Sequence, residues 1–124
     1  VTHACFQNSQ LAKFYPRGSK TMLSALHQFN AKDTVDWFEA RGVKLKTEPD
    51  GRMFPVTDSS QTVIDCLWGE ARRLGINIRT SSGVASVEPL HQSDNEPAKF
   101  SLTLLNGENL VCDRILIATG GNPN

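Results

Sequence analysis

The sequence predicts an α+β chain: N-terminal helices, a small hairpin, one long helix, then an antiparallel meander and a final buried strand. Three observations carry that expectation. Apolar residues recur at helical spacing up to Leu74, whereas from Ile76 onward the period changes to two. Turn chemistry falls between the extended stretches, at Glu48-Pro49-Asp50-Gly51 and at Asn106-Gly107. The chain then closes on Ile115-Leu116-Ile117-Ala118, an unbroken apolar run of the kind found in strands buried on both faces.

Residues 1–18 carry mixed polarity and end in a breaker, Tyr15 to Lys20, and give no clear element. Met22, Ala25, Leu26 and Phe29 then share one helical face, so Lys20 to Gln28 is predicted as a short helix. A second helix follows, with Asp33 as its cap, Val35 and Phe38 on one face and Gly42 as its stop. Lys44 to Thr47 and Arg52 to Phe54 read as the arms of a hairpin, and Pro55 limits further pairing because it has no N–H to donate.

The strongest helical signal starts at Ser59 or Ser60. Val63, Ile64, Leu67, Trp68, Ala71 and Leu74 form a continuous apolar stripe, with Arg72 and Arg73 at the C-terminal end and Gly75 beyond. Ile76 and Ile78 alternate with polar neighbours, and Val84 to Val87 is extended. A polar excursion, Leu90 to Lys99, separates them from Phe100, Leu102 and Leu104, which return through Asn106-Gly107 to Leu110 and Val111.

Composition narrows the function classes. Thirteen basic residues balance thirteen acidic ones, so no global field draws the chain to nucleic acid or an anionic membrane. No apolar run approaches the roughly 20 residues that cross a bilayer. Cys5, Cys66 and Cys112 are odd in number and far apart, which argues against a disulfide framework and suits a reducing cytoplasm. With His3, His27 and His91 they show no metal-ligand spacing.

Three places could carry chemistry. At Thr119-Gly120-Gly121, bare backbone could approach a phosphate or a flat cofactor, or simply make a tight turn. In Asp50 to Pro55, Arg52 could hold an anion bidentately and Phe54 could flank a ring; equally, the first could be solvated and the second buried in the core. Near Val84, a strand edge could pair with a nucleobase edge, as any strand edge can. No serine sits in a nucleophile elbow, and His27, His91 and the acidic residues Asp33, Asp36 and Glu39 have no partner that makes an acid–base pair, so no catalytic residue is assigned.

Taken together, Asp36-Trp37-Phe38-Glu39 with Arg41-Gly42-Val43, then Gly51-Arg52-Met53-Phe54-Pro55, then Ala118-Thr119-Gly120-Gly121 resemble the BaiN-like or aminoacetone-oxidase family of FAD-dependent oxidoreductases. The likeness covers nearly the whole chain, and Val1-Thr2-His3 looks like the end of that family's GRCNVT segment. The resemblance implies a fragment of a Rossmann-like FAD-binding flavoprotein, residues 1–124 forming one segment of a larger protein. It implies that the G-x-G-x-x-G unit would lie before residue 1, and that the segment alone is inactive and retains FAD poorly.

The resemblance also carries roles over to matching positions. The backbone of Val84 would clip the adenine of FAD. Thr119, Gly120 and Gly121 would lie along the cofactor, and Arg52, Phe54 and Pro55 would pass near its ring system. The implied reaction is flavin-mediated hydride transfer with NAD(P)H as a partner, alongside the remaining domains of the parent and without nucleic acid or membrane. Past Gly121 the chain reads Asn-Pro-Asn, where many relatives continue differently, so no substrate carries over. The alternative is a free-standing α+β binding or interaction module whose glycines are ordinary turns.

Overall fold

A computed structural model describes residues 1–15, 17–90 and 99–120, and divides the chain into a first unit, Val1–Asn77, and a second, Ile78–Asn124. Helices and two small antiparallel sheets give the expected α+β class.

In the first unit, the unreadable N-terminal stretch resolves into local structure. Strand β1 (Thr2–His3) precedes helix α1 (Asn8–Leu11), a 3-10 turn (Ala12–Phe14) and helix α2 (Ser19–Gln28). These short pieces bury Leu11, Ala12, Leu26 and the following Ala31 in one cluster, with Cys5 and Leu23 packed against it. Burial, more than propensity, holds helices this short.

Helix α3 (Ala31–Glu39) corrects the predicted cap. Asn30, not Asp33, is the capping residue: its side chain accepts from the backbone N–H groups of Lys32 and Asp33. Asp33 reciprocates by accepting from the Asn30 N–H at 2.8 Å, so the two residues make a capping box. At the far end Gly42 donates to Glu39 and Val43 to Phe38, which closes the helix where the glycine predicted it.

The hairpin forms as expected, from β2 (Leu45–Thr47) and β3 (Arg52–Pro55), with β1 on the other side of β3. Leu45 lies opposite Pro55 and Thr47 opposite Met53, while Thr2 also faces Met53. Met53 is thus the middle of a three-stranded layer and is buried. The Glu48–Gly51 turn places Gly51 at φ +85°, directly under the His3 ring; a Cβ there would come within 2.5 Å of the imidazole. His3 Nε2 lies 3.2 Å from the Asp50 carbonyl oxygen. A carbonyl can only accept, so Nε2 is the donor in this bond, while Nδ1 is buried with no hydrogen-bond partner among the described residues.

Helix α4 (Ser60–Arg73) is capped by Ser59, whose hydroxyl accepts from the Gln61 N–H, and ends with Gly75 donating to Arg72 and Ile76 to Ala71. Its apolar stripe is less covered than its pattern suggests. Ala71 is buried, but Ile64, Leu67 and Leu74 are exposed. Ile76 and Ile78, predicted as a strand, are exposed and irregular.

The second unit is the predicted meander: β4 (Val84–Leu90), β5 (Lys99–Leu104) and β6 (Asn109–Cys112), paired in that order. The β5–β6 connection runs from Leu105 to Glu108 and is closed by Gly107 donating to Leu104 and Leu104 to Glu108. Gly107 takes φ +85°, the left-handed position that such a loop requires. Arg79 and Glu108 pair across the loop through two hydrogen bonds.

The expected buried strand at Ile115–Ala118 is the main correction. The run is irregular, with Leu116 90% and Ile117 72% exposed. A strand of a parallel sheet exists only through its neighbours' hydrogen bonds, and among the described residues none pairs with this run. Of the predicted polar excursion, Leu90 belongs to β4 and Lys99 to β5, while residues 91–98, with His91, and the closing residues 121–124 lie outside the described residues.

Candidate functional site

The first unit brings three of the predicted site residues together. Arg52, Phe54 and Pro55 follow one another on β3 and line a cavity of about 670 Å³, whose other wall is Ser59, Val63 and Ile64 at the start of α4. The strand alternation buries Pro55 and half-buries Phe54, while the Arg52 side chain stays 65% exposed at the mouth.

Arg52 is fixed from within its own turn. Its backbone N–H donates to Asp50 Oδ1 at 3.0 Å, and its Nε donates to Oδ2 at 2.6 Å. These bonds hold the Asp50 carboxyl below its usual range, the backbone N–H contributing most and the guanidinium next. The guanidinium carbon lies 5.4 Å from the centre of the Phe54 ring, within cation–π range.

Lys46 bridges two residues that also line the cavity, Glu48 at 3.1 Å and Asp58 at 2.7 Å. The hydrogen bond to Asp58, then that to Glu48, raises the Lys46 ammonium above its ordinary value. Asp58 holds φ +54°, unusual for a residue with a side chain. Sequence reasoning missed this trio and the α4 wall. The readable signal was the two-residue spacing of Lys46, on β2, and Glu48, the residue after its end, which puts both side chains on the same face of an extended backbone.

Elsewhere in the first unit, Arg41 stacks on Trp37 at 3.8 Å and reaches Glu70 of α4 at 2.7 Å. Glu70 also takes Arg73 at 2.8 Å. Hydrogen bonds from Arg73, first, and Arg41 hold the Glu70 carboxyl down to about 2. This is a structural tie that fixes α3 to α4.

The remaining candidates belong to the second unit. Val84 opens β4 opposite Leu104, half-exposed, with the register slipping between it and Ser86. Among the described residues β4 pairs only with β5, so its outer edge keeps unpaired N–H and C=O groups. Thr119 is exposed, and Gly120 takes φ +74° with no atom within 4 Å of where a Cβ would stand. Gly121 lies outside the described residues. Among the described residues no cluster of three metal-ligating side chains occurs, and no helix is long and apolar enough to cross a membrane.

The family model for the HI0933-like protein Rossmann domain matches residues 1–123. The chain therefore belongs to that family of FAD-binding oxidoreductases, the BaiN-like group that its motifs resemble. The ribosomal RNA dihydrouridine synthase of Escherichia coli (strain K12) is 32% identical over 98 residues, covering 79% of this chain and 22% of that protein. The chain thus spans less than a quarter of that relative's length.

Proposed function

We propose that residues 1–124 are a segment of a larger FAD-dependent oxidoreductase and supply one wall of its flavin crevice. The observation that carries this reading is the family match over residues 1–123, joined to the cavity that Arg52, Phe54 and Pro55 line. Phe54 and Pro55 offer flat apolar surface to a ring system, and Arg52 sets a positive charge at the mouth. The unpaired edge at Val84 offers N–H and C=O to an adenine. Thr119, Gly120 and Gly121 offer a backbone that a cofactor can approach closely. When bound, the flavin supplies two-electron hydride chemistry, with NAD(P)H as the proposed reductant. The residues of this segment bind and orient; none of them has to move a proton.

The sequence contains no G-x-G-x-x-G spacing for a pyrophosphate, so the 124-residue chain by itself should hold FAD weakly. Fluorescence titration tests both parts. In the full-length protein Phe54→Ala should weaken FAD by about tenfold through lost ring contact. Unchanged affinity would remove Phe54 from the crevice, and submicromolar binding with a shifted flavin spectrum by the 124-residue chain would overturn the segment reading.

A second reading concerns the substrate. The E. coli relative is named for making dihydrouridine in ribosomal RNA, and the identity over most of this chain supports a pyrimidine base of RNA as the hydride acceptor. It departs from the expectation that balanced charge excludes nucleic acid. Mass spectrometry of ribosomal RNA from cells lacking the gene should show one dihydrouridine lost, and an unchanged dihydrouridine content would rule the reading out.

A further inference from the structure

We propose that Asp50 and Arg52 form an oxyanion clamp for the phosphate ester of a nucleotide substrate whose ring enters the cavity beside Phe54. The proposal deepens the RNA reading above and rests on it for the class of substrate.

Asp50 engages Arg52 only through the backbone N–H and Nε. Among the described residues no acceptor bonds the two terminal nitrogens, Nη1 and Nη2. An arginine held at Nε keeps its outer edge, two parallel N–H donors spaced to match two oxygens of a phosphate or carboxylate. Glu48 and Asp58, the carboxylates that line the cavity, are both bonded to Lys46.

The clamp is also oriented. Asp50 is fixed by its position in the Glu48–Gly51 turn, where Gly51 donates to Glu48 and Glu48 to Arg52. The Phe54 ring, 5.4 Å from the guanidinium carbon, stands on the same side as the cavity that both residues line. An oxyanion on the outer edge would therefore carry a covalently attached ring into the cavity against the Val63 and Ile64 wall, leaving the Phe54 and Pro55 surface to the flavin. A nucleotide supplies both groups, a flat ring and a phosphate, and is the class that the RNA reading gives. Its phosphate has two sources, an internal diester of an RNA strand or the terminal ester of a free mononucleotide.

The test uses the isotope-labelled full-length protein and follows the Arg52 Nε–Hε and Phe54 ring resonances by NMR. The probes are uridine, uridine 5′-monophosphate and the dinucleotide UpU. The clamp predicts that the monophosphate binds at least tenfold more tightly than uridine, and that Arg52→Lys, which keeps the charge but loses the fork, removes that gain. Asp50→Asn keeps an oxygen for the backbone N–H but gives up the Nε acceptor. It should weaken the monophosphate although it makes the site more positive.

UpU binding as tightly as the monophosphate assigns the clamp to an RNA diester, and a preference for the monophosphate assigns it to a free nucleotide. Equal affinity for uridine and its monophosphate would overturn the proposal, as would an Arg52→Lys chain that binds like the parent. Tighter binding by Asp50→Asn would reduce the pair to simple charge attraction and overturn the clamp. None of these readouts needs FAD, so their failure is separate from a failure of the flavin assignment.

Discussion

Replacing Gly51 with alanine tests the turn that aims Arg52. The residue sits at φ +85°, where an L side chain costs about 1–2 kcal/mol. The new Cβ would also come within 2.5 Å of His3 Cε1 and Nε2, so the imidazole must swing away. That movement breaks the Nε2–H bond to the Asp50 carbonyl, worth about 0.5 kcal/mol at an exposed site. It also disturbs the His3 ring's contact with Phe14, at 5.1 Å between centres. The sum is about 2 kcal/mol. For a unit the size of Val1–Asn77 this lowers the melting temperature by about 10 °C. Thermal unfolding followed by far-UV circular dichroism at neutral pH reads the change. The double variant His3→Ala/Gly51→Ala should show less than the sum of the two single losses, because the steric share disappears once the ring is gone, while the φ share remains. A Gly51→Ala chain melting within about 2 °C of the parent would refute the reasoning.

Two further predictions concern stability. Glu70 has its carboxyl depressed from 4.5 to about 2 by Arg73 and Arg41, so the folded state prefers the charged form. Its contribution is fully present above pH 4.5 and is lost as the pH falls towards about 2. Glu70→Gln should therefore lower stability at pH 7 and flatten the acid limb of an unfolding titration; an unchanged acid limb would contradict it. Met53, 7% exposed at the centre of the β1–β3–β2 layer, should lose about 2–4 kcal/mol on truncation to alanine, measured as a shift in urea midpoint at constant slope.

What could be read from sequence was what is decided locally. The hairpin around Asp50-Gly51, the Ser59 cap and the Gly75 stop of α4, and the loop at Asn106-Gly107 each rest on the chemistry of a few adjacent residues. The α3 cap was misassigned because Asn30 and Asp33 both have capping side chains, and only the reciprocal bonding distinguishes cap from third residue. Ile76–Ile78 and Ile115–Ala118 carry apolar patterns suited to strands, but alternation or apolarity selects a face and does not provide a neighbour. The site was legible as residue types. Arg52 and Phe54 stood out on β3, but the α4 wall, the Lys46 bridge between Glu48 and Asp58, and the Arg41–Glu70 tie depend on how distant segments pack.

The most direct measurement is a crystal structure of the full-length protein with FAD bound. The account predicts the flavin rings within contact distance, about 4 Å, of Phe54 and Pro55, and the adenine beside the Val84 backbone. A cofactor bound away from Arg52, Val84 and Thr119 alike would contradict it.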